Sequence, residues 1–283
     1  MTEFRNGCIT DERTVPVAAA AAFATVATGR GLSNWFPLKA EVEPEVGGRC
    51  FLSWGEGCEG EAPVHAYSPD THFGWTERYP APDGGEPMIR KVDFHIGPGA
   101  TDEGAADDPA SEVRLVHSGF DEALKPESPE IAAYLQGWDN FMHCLEFYLS
   151  RHYPENRRLV WRYDDIPEGR DAAWESLIGG KRCSGGLVSL AKGLDPGDPV
   201  SFSPVIQAAN DPDGPRLPAA VGRITSAKEG GHLSVELPSL GRSLLFIEFE
   251  DKRVGVWLST WGLADRVTKS LQRALDHAMD AAG

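Results

Sequence analysis

Residues 129–152 read PEIAAYLQGWDNFMHCLEFYLSRH, and this stretch decides the fold. At about 100° per residue, most of its large apolar side chains fall within an arc of roughly 140°, as they do on one face of an amphipathic helix. The apolar positions are Ile131, Tyr134, Leu135, Trp138, Phe141, Met142, Leu145, Tyr148 and Leu149. A face this broad and aromatic needs a large apolar partner. Because the segments before it read as strands, we expect the helix to pack against a sheet.

Short alternating segments joined by glycine and proline turns precede the helix. We predict a strand at 13–17, a helix at 18–28, a short helical turn at 32–36, and further strands at 41–46, 49–54, 62–67, 71–79, 88–96 and 112–120. Strands in a row, with helices after the first strand and at the end, predict an α+β fold.

Residues 55–60, GEGCEG, formally match the GxGxxG dinucleotide fingerprint. That motif requires a following helix, whose N-terminus holds the pyrophosphate. The residues that follow, 62–67, predict a strand instead. We therefore interpret the segment as a hairpin turn and expect no cofactor.

Charge and composition disfavour several classes of partner. The chain has 283 residues and a net charge of −16, which argues against nucleic acid and anionic membranes as partners. No apolar run approaches the ~20 residues of a membrane span, and no apolar secretory segment is visible at the N-terminus. The five cysteines form no CxxC pair. We therefore expect a cytoplasmic location.

Motifs for catalysis and metal binding are scarce in this sequence. The eight histidines show neither HxxH nor HExxH spacing, so we expect no metal site. No GxSxG elbow is present, and no cysteine has an evident thiolate-stabilising setting. The sequence therefore predicts no catalytic nucleophile.

Several segments resemble the START-like, or SRPBCC, superfamily. They are VPV at 15–17, LSNWF at 32–36, EVEPEVGGRC at 41–50, LVHSGF at 115–120 and GWDNFMHCLEFYL at 137–149. Within the superfamily they look like the branch named after the C-terminal domain of the activator of the heat-shock protein 90 ATPase. The resemblance implies a helix-grip fold, in which a curved antiparallel sheet wraps around a long C-terminal helix. It also implies an apolar cavity between sheet and helix.

The second half looks like a degenerate repeat of the first. We predict strands at 159–166, 198–202, 219–225, 232–236, 242–250 and 253–260, with helices at 170–178 and 264–279. The order of these elements indicates two START-like domains in tandem, 1–155 and 156–283.

Two titratable residues share the phase of core-facing strand positions. His117 aligns with Val113 and Leu115. In one interpretation it lines the cavity and acts as an acid, a base or a hydrogen-bonding group. In the other it is a structural histidine that ties the strand to the last helix through a backbone carbonyl. Glu77 aligns with Trp75 and is either a polar anchor inside the cavity or a side chain that reaches water.

The cavity walls are expected to come from these two residues and the large side chains that face the helix. The predicted ligand-binding residues are Trp35, Phe36, Trp54, Phe73, Trp75, Glu77, Phe94, His117, Trp138, Phe141, Met142 and Leu145.

The leading hypothesis is a cytoplasmic tandem START-like protein whose first domain binds a small apolar molecule, and no catalytic residue is assigned. One alternative is an enzyme of the polyketide-cyclase kind, which uses His117 and Glu77. The other is a protein-interaction module that acts on a chaperone.

Overall fold

The computed structural model describes residues 2–55, 57–81, 84–99, 109–179, 187–202 and 221–282. Two compact units, Met1–Glu155 and Asn156–Gly283, make up the chain. Within the described ranges, no helix is both long and apolar enough to cross a lipid bilayer.

The described residues of the first unit form eight strands and three helices. They are β1 (Glu3–Arg5), β2 (Cys8–Val15), α1 (Ala19–Ala27), α2 (Gly29–Leu32), β3 (Lys39–Val42), β4 (Arg49–Ser53), β5 (Glu59–Ser68), β6 (His72–Tyr79), β7 (Met88–Pro98), β8 (Ser111–Ser118) and α3 (Pro129–Arg151). The strands make one antiparallel sheet in the order β1-β2-β8-β7-β6-β5-β4-β3. Strand β2 therefore pairs with β8, the last strand before the long helix, and β8 to β3 form a meander.

Strand β1 and the position of α2 differ from the sequence prediction, which had no strand before residue 13 and a helical turn at 32–36. The turn forms earlier because the side chain of Thr28 caps α2, accepting a hydrogen bond from the backbone N–H of Gly31 at 3.0 Å. A Cβ on Gly31 would lie 2.3 Å from the carbonyl oxygen of Ala24. The glycine therefore permits close contact between α1 and α2.

Helix α3 packs its apolar face against the sheet. Trp138, Met142 and Leu145 are buried. The indole of Trp138 stacks on Phe36 with ring centroids 5.3 Å apart, and it meets Phe94 of β7 edge-on at 6.2 Å. The predicted α+β class, with a sheet as the partner of the terminal helix, is confirmed.

The described residues of the second unit form a further eight strands and two α-helices. They are β9 (Arg157–Asp165), α4 (Arg170–Leu177), β10 (Ile178–Gly179), β11 (Val188–Leu190), β12 (Pro199–Phe202), β13 (Val221–Lys228), β14 (His232–Leu237), β15 (Ser243–Phe249), β16 (Arg253–Trp261) and α5 (Asp265–Ala282). The sheet order is β10-β11-β12-β13-β14-β15-β16-β9, and only the β10–β11 pair is parallel among these described strands. The predicted strand 219–225 begins outside the described residues.

Strand β9 lies at the edge of the second sheet, beside β16, and α5 covers it. The side-chain amide of Gln272 in α5 donates to the carbonyl oxygen of Trp161 at 2.8 Å and accepts from its N–H at 3.0 Å. Unpaired backbone groups on an edge strand are a template for unwanted pairing. The helix therefore satisfies part of this edge while it packs against the sheet.

Candidate functional site

A cavity of about 290 Å³ opens in the first unit between the sheet and the first half of α3. Its walls come from the segment between α2 and β3, the residue after β4, the ends of β6 and β8, and about two turns of the helix. The lining residues are Phe36, Trp54, Glu77, Tyr79, His117, Ala133, Tyr134, Gly137, Trp138 and Phe141.

The apolar walls are aromatic and centre on Phe36. Its ring lies 4.6 Å from Phe141 and 5.2 Å from Trp54, both edge-on, and it stacks on Trp138. Trp54 and Phe141 are half-buried, so they line the mouth of the cavity. Such walls favour flat, apolar molecules, which can stack and meet ring edges.

His117 lies at the polar end of the cavity. Its Nδ1 accepts a hydrogen bond from the indole Nε1–H of Trp138 at 2.9 Å. In a neutral imidazole the hydrogen must then sit on Nε2. That Nε2 is buried and has no hydrogen-bond partner in the described structure, because the nearest oxygen of Glu77 lies 3.7 Å away. The histidine does tie β8 to α3, but through the indole rather than through a backbone carbonyl.

The charge state of His117 is set by its surroundings. Burial, followed by the nearby cation of Arg90, lowers the pKa of His117 to about 3. At neutral pH the ring is therefore uncharged, and its contact with Glu77 is not an ion pair. His117 therefore offers the cavity one N–H donor. It is not a general acid, because the ring is neutral, and it is not a general base, because the lone pair on Nδ1 accepts from Trp138.

Glu77 is the acidic group of the cavity. Its carboxylate accepts hydrogen bonds from the indole of Trp75 at 3.0 Å and from the hydroxyl of Tyr79 at 2.7 Å. Burial, followed by the charge of Glu77, raises the pKa of Tyr79 well above its usual value, so the phenol stays protonated. The two donors hold the carboxylate at the cavity while one side remains open to solvent, with 23% of the Glu77 side chain exposed.

Arg90 fixes the side of the cavity formed by Tyr134. It donates to the Tyr134 hydroxyl at 2.7 Å and pairs with Glu130, also on α3. Its guanidinium lies over the Phe120 ring, 4.3 Å from the centroid. A buried arginine that is held on several sides orients its neighbours well. Arg90 thereby links β7 to the start of α3.

The twelve side chains predicted to bind a ligand separate into two groups in the structure. The cavity-lining group is Phe36, Trp54, Glu77, His117, Trp138 and Phe141. The other group is fully buried in the core behind the lining: Trp35, Phe73, Trp75, Phe94, Met142 and Leu145. The periodicity of the strands and the helix identified which side chains face inward. It does not show whether an inward side chain lines the cavity or is buried in the core behind it.

Four lining residues were missed by the sequence argument: Tyr79, Ala133, Tyr134 and Gly137. A signal existed for two of them. Tyr79 continues the two-residue period of Glu77, and Tyr134 belongs to the apolar arc of the helix. Gly137 carries no side chain, and a Cβ added there would meet no atom within 4 Å. The glycine therefore contributes open space, which no hydrophobic pattern reveals.

Comparison with known proteins gives only loose structural similarities. No family model matches the chain, and no curated protein does. A solved structure of a protein from Mesorhizobium loti is 20% identical, with a TM-score of 0.40, and the match covers 49% of this chain and 93% of that one. The Aha1 dimer from Colwellia psychrerythraea is 17% identical, with a TM-score of 0.40 and coverage of 50% and 96%.

A third similar structure is DynU16, a protein in the dynemicin biosynthetic locus. It is 18% identical, with a TM-score of 0.38, and the match covers 98% of this chain and 99% of that one. At these TM-scores the similarities carry no functional conclusion. The strand order and the terminal helix described above define the fold.

Proposed function

We propose that the chain is a tandem START-like protein whose first unit binds a small, flat, largely apolar molecule that carries a hydroxyl group. The strand order supports the tandem helix-grip fold. In each unit the first long strand pairs with the last strand before the terminal helix, β2 with β8 and β9 with β16. The two proposed domains are 1–155 and 156–283.

One observation carries the binding proposal: the Nε2–H of His117 is buried at the cavity without a hydrogen-bond partner. An unsatisfied buried donor costs about 1–3 kcal/mol. A ligand oxygen that accepts from it recovers this free energy. Binding at this position therefore has a polar driving force in addition to burial of aromatic surface.

A hydroxyl group fits the pair formed by His117 and Glu77. Nε2 of His117 and the nearest oxygen of Glu77 lie 3.7 Å apart, so one hydroxyl oxygen that lies beside both atoms, about 2.8 Å from each, can accept from the imidazole and donate to the carboxylate. Nε2 has no exposed surface in this structure, so a neighbouring side chain has to shift for the ligand to reach it. The aromatic walls around Phe36 then hold the flat part of the ligand.

The test uses the fluorescent phenol 2-naphthol and its analogue naphthalene, which lacks the hydroxyl group. We expect 2-naphthol to bind the full chain and to raise its melting temperature by mass action. Naphthalene should bind more weakly, since it leaves the His117 donor unsatisfied. Native mass spectrometry of gently purified protein would show directly whether a small molecule is already retained.

The control separates cavity binding from adsorption to the surface. Phe141→Asp places a charge on the cavity wall and should abolish 2-naphthol binding in a variant that still unfolds cooperatively. Ser150→Asp, on an exposed position of the same helix, should bind as the parent does. Unchanged binding by the Phe141 variant would rule out this cavity as the site.

A second candidate function is a polyketide-cyclase-like reaction, and the short separation of His117 and Glu77 favours it. The neutral imidazole would hold a ketone oxygen through Nε2–H, and Glu77 would take a proton from the adjacent carbon. Hydrogen exchange into the methyl group of acetophenone in D₂O, followed by NMR, tests this step. Acceleration that Glu77→Gln removes would support an enzyme, and no acceleration would leave a binding protein.

Chaperone interaction is the third candidate, and the described surface offers it little support. The large apolar side chains exposed there are Val46, Ile89, Tyr153 and Val221, which belong to four different segments. A broad apolar patch would mark such an interface. A cytoplasmic location remains part of the proposal.

A further inference from the structure

A second cluster of polar side chains lies on the other face of the first sheet. It joins His65 of β5, His72 of β6, and Asp93 and His95 of β7. Successive side chains of a strand point to opposite faces. Because Phe94, between Asp93 and His95, is fully buried in the core, these two residues face outward, away from the cavity.

The side chains of this cluster converge on one carboxylate. The Oδ1 of Asp93 lies 2.7 Å from Nε2 of His72 and 2.9 Å from Nε2 of His65. The rings of His72 and His95 stack with centroids 4.2 Å apart. One donor atom from each of His72, Asp93 and His95 lies within 4.8 Å of the others. Imidazole nitrogen and carboxylate oxygen are ligands that Zn²⁺ prefers.

A glycine in β6 leaves room for the side chains of the cluster. Gly74 pairs with Asp93 across the sheet, and a Cβ there would lie 2.4 Å from the Asp93 carboxylate and 3.0 Å from the His65 ring. The Thr76 hydroxyl lies 3.1 Å from Nδ1 of His65, so it orients that ring with Nε2 toward the carboxylate. Outer hydrogen bonds of this kind hold metal-binding histidines in place.

We propose that His65, His72, Asp93 and His95 bind one divalent transition-metal ion of the Zn²⁺ type. The ion replaces the hydrogen bonds between Asp93 and the two histidines. Small side-chain rotations bring the four donor atoms to the ~2.0–2.2 Å that Zn²⁺ requires.

One neighbouring cation acts against the proposed site. Arg114 is the nearby cation that opposes metal binding. Its guanidinium lies 3.3 Å from the carboxylate of Glu12, which offsets part of that charge.

Histidine spacing along the chain does not reveal this cluster, because three strands contribute to it. The register of β5 on β6 shifts between Val64 and Ala66, and His65 is the extra residue at this bulge. Bulges re-aim side chains. The expectation of no metal site rested on local motifs, which cannot describe residues joined across a sheet.

The test is calorimetric titration of the full chain with ZnCl₂, after removal of any affinity tag and of bound metal by a chelator. We expect one equivalent of Zn²⁺ to bind and to raise the melting temperature. His72→Ala should weaken binding by at least about 10-fold. His277→Ala, at an exposed position of α5, is the matched control and should leave the affinity unchanged.

Two further variants make the outcome decisive. Asp93→Asn keeps the shape of the side chain and removes the anionic ligand, so it should also weaken Zn²⁺ binding even if the His72 variant folds poorly. Cys58→Ser removes an exposed free thiol and should change nothing. No binding by the parent chain, or binding that survives both cluster variants or disappears with Cys58→Ser, would overturn the proposal.

Discussion

At the scale of single residues, His117 shows how burial selects one chemical role from several. The indole of Trp138 occupies its Nδ1, and burial keeps the ring neutral. A histidine in this state donates a hydrogen bond and does little else near neutral pH. The residue is therefore suited to donating a hydrogen bond to a ligand oxygen. Glu77 is the neighbouring group that can accept a hydrogen bond from the ligand.

The first prediction concerns pH and stability. The unfolded chain protonates His117 below its ordinary pKa of 6.5, whereas the folded chain does so only near 3. The unfolded state thus binds more protons between these values, and stability falls as the pH drops below 6.5. At pH 5 the loss from this residue is about 2 kcal/mol relative to neutral pH.

The variant His117→Asn isolates that contribution. Its side-chain oxygen still accepts from Trp138, but the side chain does not titrate. Urea unfolding at pH 7 and pH 5 should show a smaller loss of stability in the variant than in the parent. An identical loss in the two proteins would mean that other groups carry the pH dependence.

The second prediction concerns the acceptor in the cavity. Glu77→Gln removes the charged acceptor and keeps the size of the side chain. A hydrogen bond to a charged group contributes about 1.5–3 kcal/mol, so the affinity for 2-naphthol should fall by about 10- to 100-fold. Binding of naphthalene, measured in the same fluorescence assay, should change little. Equal effects on both probes would indicate that the variant has disturbed the cavity walls.

At the scale of elements, α3 combines the core with the site. Its residues Met142 and Leu145 pack against the sheet, while Tyr134, Gly137 and Phe141 line the cavity on an adjacent part of the helix. Trp138 belongs to both groups, because its ring is buried and its N–H orients His117. Changes in this helix therefore affect stability and binding together.

The third prediction separates the two roles of Trp138. Trp138→Ala removes a large core side chain and should cost about 3–5 kcal/mol of unfolding free energy. Trp138→Phe keeps most of the packing but leaves Nδ1 of His117 without its donor, which should cost about 1–3 kcal/mol. Denaturant melts measure both values. A loss below about 1 kcal/mol for the alanine variant would show that the helix does not grip the sheet.

The fourth prediction compares two glycines in helices. Gly31→Ala should destabilise by about 1–3 kcal/mol, because its Cβ would meet the backbone of α1 at 2.3 Å. Gly137→Ala meets nothing within 4 Å and should stabilise by about 1 kcal/mol through helix propensity. Thermal unfolding of the two variants tests this opposition in sign, and a shared sign would contradict it.

At the scale of the whole molecule, the chain repeats one arrangement in two units. Each unit pairs its first long strand with its last and ends in a helix that packs on the sheet. Each also has its own buried apolar core. Because the first and last strands of each unit pair within that unit, each unit contains a complete sheet and can in principle fold alone.

The fifth prediction follows from this strand pairing within each unit. A fragment of residues 1–155 should fold alone, because its sheet and its helix bury their apolar faces against each other. Circular dichroism and urea unfolding should show a cooperative transition, and the fragment should bind 2-naphthol as the full chain does. A fragment without cooperative unfolding would place part of its stability in residues 156–283.

The sequence by itself determined the long helices, most of the longer strands and the faces that they bury. The periods of 3.6 and 2 residues set the amphipathic helix at 129–152 and the alternation of strands such as 88–96, since local geometry fixes which side chains share a face. The antiparallel pairing of β4 with β5 was equally readable, because the residues after 60 predict a strand and not a helix. These properties depend on neighbours along the chain.

Only the tertiary structure decided which inward side chains reach the cavity, where the cavity has open space, and which distant residues come into contact. Phase placed Trp75 and Trp138 on inward faces alike, yet only Trp138 reaches the cavity. The pairing of His117 with Trp138 and the grouping of His65 with Asp93 each join separate elements. Such contacts depend on strand register, a bulge and the seating of a helix. These are set by the balance of packing over the whole unit, and no local pattern encodes them.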